Sequence, residues 1–178
     1  FSDQLASTIA IKDGTSSTNS NQTQADNKNI MFTNYFETHT PSNLTTYLSL
    51  WNSNSDKDIR GSYHEYENGF DLSFHNNMLG ITANTVTSDL HLIYNKNYTG
   101  NTHFSGYVIL NDESSGTKSS ADISILVDGN EIWKSESKLT GVTVTPIEFN
   151  VDLKDCKEEV IIRTTCYLQG DSFKLGIF

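Results

Sequence analysis

The chain has 178 residues, enough for one core of ordinary size, since a single domain commonly takes on the order of 100 to 200 residues. Its 22 acidic against 12 basic side chains leave a formal net charge of -10 at pH 7 with no Lys/Arg cluster to offset it, which argues against nucleic acid or an anionic lipid surface as partner. No run of roughly 18 apolar residues occurs, so no helix of this segment is expected to insert in a membrane.

The opening Phe1-Ser2-Asp3-Gln4-Leu5 lacks the basic region and apolar core of a signal peptide. With the polar composition, this predicts a mature or trimmed piece of a larger extracellular or cell-surface chain. Abundant Asn, Ser and Thr beside only two arginines, Arg60 and Arg163, points to a bacterial source, where the sequons at Asn21, Asn43 and Asn97 stay bare.

In chain order, "LASTIAIKD" alternates like a short strand that docks on a sheet if the arm behind it folds back, so residues 1–14 hold one N-terminal strand candidate. Residues 15–29, "TSSTNSNQTQADNKN", contain one alanine and no other apolar side chain, and burial there cannot offset the backbone entropy of ordering. They read as a flexible polar linker. From residue 30 to 178 short β-rich runs alternate with Gly, Asn, Asp and Ser clusters, which predicts an all-β, jelly-roll-like antiparallel β-sandwich. The predicted strands span 30–36, 45–51, 69–75, 78–83, 88–95, 102–110, 121–128, 130–136, 145–153, 159–167 and 172–178.

Period-two alternation sets Leu90, Leu92 and Tyr94 against Asp89, His91 and Ile93, and Ile123, Ile125 and Val127 against Asp122, Ser124 and Leu126. Ile147, Phe149, Val151 and Leu153 likewise face away from Glu148, Asn150 and Asp152. The first member of each set belongs to a core face. Between two strands, Asp128-Gly129 supplies the positive φ angles of a tight hairpin. Cys156 and Cys166 bracket a predicted strand that would hold their thiols roughly 20 Å apart, too far to bridge.

Taken in order, "YLSLW" (47–51), "LGI" (79–81), "FSGYVIL" (104–110), "ILVDGNEIWKS" (125–135), "LTGVTVTPIEFNVDLKDCKEEVIIR" (139–163) and "FKLGIF" (173–178) resemble the NPCBM family of novel putative carbohydrate-binding modules. The resemblance covers about residues 47–178 and implies a galactose-binding-like β-sandwich without catalysis, often attached to glycosidases or to surface and envelope proteins. The sugar-binding branch of that family has an Asp/Trp-containing loop near its C-terminus. Here "GDSFKLGIF" (170–178) stands in its place, so no ligand residue carries over.

Sugar recognition needs an exposed aromatic ring for the C–H face of a pyranose and polar groups for its hydroxyls. The densest supply is "WNSNSDKDIRGSYHEYENG" (51–69), a long predicted loop in which Trp51, Asn54, Asp56, Tyr63, His64 and Tyr66 are candidate ligand-binding residues. Trp133 is a further candidate: it follows Ile132 on a strand, and if Ile132 is core, Trp133 is exposed on the sheet.

No cofactor is expected. "NDESSG" (111–116) and "NSDKD" (54–58) offer oxygens for a structural calcium but lack the spacing of a defined loop. The five histidines, at 39, 64, 75, 91 and 103, fall on different predicted elements and propose no metal site. "SGTK" (115–118) and "SESK" (135–138) match Ser-x-x-Lys without the helix and partner motifs that nucleophile requires, so no enzymatic activity is expected. Two readings remain: a non-catalytic extracellular glycan-binding module, or a structural or protein-interaction ectodomain with no sugar ligand.

Overall fold

A computed structural model describes residues 7–11, 30–40, 44–50, 69–76, 84–93, 103–170 and 172–178, with backbone alone for residues 7–11, 30–34 and 50. In chain order the described strands are β1 (Ser7–Ile11), β2 (Ile30–His39), β3 (Leu44–Leu50), β4 (Phe70–Asn76), β5 (Asn84–Ile93) and β6 (His103–Leu110). They continue as β7 (Ser120–Val127), β8 (Asn130–Lys134), β9 (Leu139–Thr140), β10 (Ile147–Asp152), β11 (Glu159–Leu168) and β12 (Ser172–Ile177).

Every pairing among them is antiparallel. One sheet has seven described strands in the order β1-β2-β5-β11-β7-β8, with β9 also on β7; the other has five, in the order β10-β6-β12-β4-β3. The two form the expected jelly-roll-like β-sandwich. Of the predicted strands, 78–83 lies outside the described residues, as does the linker read at 15–29. The N-terminal strand pairs with β2 from Ser7↔Asn34 to Ile11↔Ile30.

The period-two pattern explains the layers. Phe36, Leu90, Ile162 and Ile125 are cross-strand partners in one row of the larger sheet, and Leu72, Leu175 and Leu110 form the matching kind of row in the smaller. All seven are buried. Phe74 and Phe173, partners on neighbouring strands, tilt against each other with ring centroids 6.3 Å apart. Each such side chain removed from water contributes about 1.5–3 kcal/mol.

The hairpin between β7 and β8 has the predicted turn: Asp128 has φ 49° and Gly129 φ 84°. Positive φ at both central positions suits the right-handed twist of the flanking strands. The Asp128 carboxylate does a second job, accepting the backbone N–H groups of Lys157 (2.8 Å), Glu158 (2.8 Å) and Glu159 (3.1 Å). Burial acts to raise its pKa, but the three N–H donors and the Lys157 charge outweigh that and hold it below the ordinary carboxyl value.

Both cysteines are free, Cys166 in the core and Cys156 half-buried. Burial pushes the Cys166 thiol up to about 12; burial and then the Asp128 charge push Cys156 up to about 11. Neither offers a thiolate at neutral pH.

Candidate functional site

The outer face of the five-stranded sheet presents the most exposed aromatic ring among the described residues. In β3, Leu44, Thr46 and Leu48 point inward and are buried, so the alternate Thr45, Tyr47 and Ser49 point outward. Tyr47 is 54 % exposed. Its ring and that of His75 form a T-shaped pair, 5.7 Å between centroids and 61° between planes.

Register places polar groups around that ring. Ser73 of β4 is the partner of both Tyr47 and Lys174, which sets Tyr47, Ser73 and Lys174 in one row across three strands. One row holds Thr45, His75 and Ser172; the other holds Ser49, Asp71 and Gly176. With strands about 4.8 Å apart, the row from Tyr47 to Lys174 spans roughly 10 Å, the length of about two sugar rings. Four hydroxyl side chains, an imidazole and one ion pair surround the aromatic. Lys174 Nζ lies 3.7 Å from Asp71 Oδ2 and 3.8 Å from Glu113 Oε2, so its charge is compensated. Gly176 contributes no side chain, and it is buried together with Asp71 and its other partner Ile109, so this end of the face is covered.

The candidates Trp51, Asn54, Asp56, Tyr63, His64 and Tyr66 lie outside the described residues. The strand ends that their segment connects are adjacent: Leu50 pairs with Phe70, one step beyond the row of Ser49 and Asp71. Tyr47 was not among the residues that the sequence singled out, although its place in the strand is a signal that could have done so. It occupies a polar-face position of an otherwise Leu-and-Thr alternation, where a tyrosine has no core to fill.

Trp133 requires a correction. It is half-buried and packs on the core, with its ring 5.8 Å from Phe149, while Ile132 is exposed at 46 %. The cause is a β-bulge. Leu126 pairs with Glu131, but Ile125 pairs with Trp133, so Ile132 is the extra residue and Trp133 takes the inward place opposite buried Ile125. A bulge reverses the side-chain alternation beyond it. The indole is half-buried and engaged with the core.

On the outer face of the larger sheet a second polar cluster forms. His91 of β5 stacks on Tyr35 of β2, centroids 4.0 Å apart and 10° from parallel. Its Nδ1 is 2.9 Å from Glu159 Oε2, and its Nε2 lies 3.3 Å from Glu37 Oε2, near enough for an ion pair but misaligned for a hydrogen bond. Arg163 donates two parallel bonds to Asp89, at 2.8 and 2.9 Å. Burial, and then the charges of Glu159, Glu37 and Asp89, raise the Tyr35 pKa. Asp89 and His91 are thus outward-facing, as the alternation predicts, yet buried by neighbours on β2 and β11. The groups fasten three strands together.

The remaining sequence candidates have structural roles. Asn111 accepts the Glu113 N–H and caps the 3-10 turn Asp112–Ser114. Ser135 Oγ accepts the Ile123 N–H inside the protein, and Ser115 sits at the end of that 3-10 turn rather than on an α-helix. Among the described residues no group of three or more His, Cys, Asp or Glu is arranged to hold a metal ion.

The fold defines a class, the antiparallel β-sandwich, and comparison with known proteins adds the following. No family model matches the chain, and no curated protein matches it. Among solved structures it is similar to TmCBM61 in complex with beta-1,4-galactotriose, at 10 % identity over 80 % of this chain and 87 % of that one, with a TM-score of 0.45. It is also similar to CBM51 from Clostridium perfringens GH95 in complex with methyl-galactose, at 15 % identity over 78 % of this chain and 92 % of that one, TM-score 0.44. A third, CBM51-2 in complex with GlcNAc and INT domains from Clostridium perfringens ZmpB, shares 13 % identity over 78 % of this chain and 29 % of that one, TM-score 0.44. These structures are carbohydrate-binding modules.

Proposed function

We propose that the chain is a non-catalytic glycan-binding module of a bacterial surface or secreted protein, related to the NPCBM group by the motifs quoted above. The observation that carries this reading is Tyr47, a tyrosine held in solvent by its strand and surrounded on a regular grid by Ser, Thr, His and a compensated ion pair. A ring of this kind stacks on the apolar face of a pyranose, and the grid supplies donors and acceptors in the plane around it. Trp51, Asn54, Asp56, Tyr63, His64 and Tyr66 of the segment 51–69 are proposed as further ligand-binding residues on their chemistry alone.

A glycan array tests the reading, followed by titration of any ligand into Tyr47→Ala. Loss of the stacking ring weakens binding about 5- to 150-fold, equivalent to roughly 1 to 3 kcal/mol. Binding that survives this change undiminished moves the site off this face.

The alternative, a protein-interaction ectodomain, draws on Val142 and Val144, which are 81 % and 59 % exposed in the segment between β9 and β10. Apolar side chains this open suit a partner protein better than a sugar. An array with no binders, together with a partner captured through Val142, would favour it.

A further inference from the structure

We infer that His75 is the positioning residue of the Tyr47 platform: its ring holds the phenol in one orientation before a sugar arrives, and it acts through Tyr47 rather than on the sugar. This rests on the glycan-binding reading and adds a second residue to it. The strands supply the reason. In the described order β3 is the last strand of its sheet, so among the described strands Tyr47 has cross-strand neighbours from β4 alone. A ring at such a place, 54 % exposed, exchanges between staggered wells unless a neighbour packs on it.

Ser73, directly opposite, brings only a hydroxymethyl group. The diagonal neighbour is His75, the partner of Thr45 on one side and of Ser172 on the other. Diagonal neighbours on one sheet face stand about 7–8 Å apart, within the reach of aromatic side chains. Here the two rings meet as a T-shaped pair, 5.7 Å between centroids and 61° between planes, an arrangement that aromatic quadrupoles favour and that depends on orientation. His75 is half-buried on a strand flanked by both β3 and β12, whereas Tyr47 is exposed on the last strand. The imidazole is therefore the fixed member of the pair and the phenol the member that it fixes. Ordering a side chain on binding costs affinity, and a ring ordered beforehand is spared that loss, worth about two- to ten-fold.

The test has a sugar-free arm and a binding arm, both on the full chain, with thermal melts to show that each variant is folded. Without sugar, NMR relaxation of the Tyr47 ring carbons is compared in the parent, His75→Ala, His75→Asn and His75→Phe. Ring motion is expected to increase in the first two variants and to stay near the parent's in His75→Phe. In the binding arm, the oligosaccharide that binds most tightly on a glycan array is titrated into the same proteins, into Tyr47→Ala and into the double variant. His75→Ala and His75→Asn should weaken binding about two- to ten-fold, while His75→Phe keeps it to within about two-fold, because a ring is needed and a hydrogen bond is not. Once Tyr47 is alanine, His75→Ala should have no further effect. A Tyr47 ring that stays equally ordered in His75→Ala and His75→Asn overturns the inference. So does a His75→Ala loss that persists in full without Tyr47, which would make His75 a direct contact of the sugar. Either result leaves the glycan-binding reading standing. An array with no binders overturns both.

Discussion

The carboxylate of Asp128, in the turn of one hairpin, receives the backbone N–H of Lys157 at 2.8 Å across 29 residues of chain. With the further bonds from Glu158 and Glu159, this one side chain holds the approach to β11, the strand that pairs with both β5 and β7. Asp128→Asn keeps a residue that tolerates the turn conformation but removes the charge. It is expected to lower stability by about 1–2 kcal/mol at neutral pH, the scale of hydrogen bonds to a charged group with partial exposure. Because the folded-state pKa is depressed, the stabilisation is present above the ordinary carboxyl value and is lost as pH falls through the lower folded value. Urea titrations of parent and variant should therefore differ at pH 7 and converge in strongly acidic solution. A constant gap at every pH would show that the charge has no part in it.

Gly129→Val separates backbone strain from collision. A Cβ on Gly129 would meet nothing within 4 Å, so its whole cost is the φ of 84°. That cost is about 1 to 3 kcal/mol for a β-branched side chain. A thermal midpoint equal to the parent's would mean that the turn changes conformation freely.

Trp133 and Tyr47 should behave as opposites. Trp133→Ala removes a ring that touches Phe149 and should cost about 3 kcal/mol or more of stability while sparing glycan affinity. Tyr47→Ala should spare stability to within about 0.5 kcal/mol, being a surface change, while costing affinity. Thermal melts and titrations on the same two variants check this crossed pattern; equal effects on both readouts would contradict it.

The interior contains one place where the protein is expected to improve. Ser88 and Thr164 are cross-strand partners on the core face, both fully buried, and neither hydroxyl has a hydrogen-bond partner among the described residues. Thr164→Val replaces an unsatisfied hydroxyl by a methyl of the same shape and should raise stability by about 1 kcal/mol. A lower melting temperature would reveal a buried water joining the pair.

The strands and the hairpin turn were legible in the sequence because they depend on local chemistry. Alternation at Ile123, Ile125 and Val127 needs only neighbouring residues to show itself, and so does the choice of Asp-Gly where two positive φ angles are required. The outward place of Tyr47 could be read in the same way, since Leu44, Leu48 and Leu50 already define its inner face.

Tertiary pairing decided the rest. Nothing local says that β8 pairs with β7 through a bulge, yet that bulge alone turns Trp133 inward and puts Ile132 in solvent. Asp89 and His91 look like solvent-facing residues until β2 and β11 bring Glu37, Glu159 and Arg163 against them. The grid around Tyr47 likewise joins residues from β3, β4 and β12 that lie more than 20 positions apart. Period-two alternation assigns a face to each residue. Only the register between strands, set by cross-strand hydrogen bonds, assigns its neighbours.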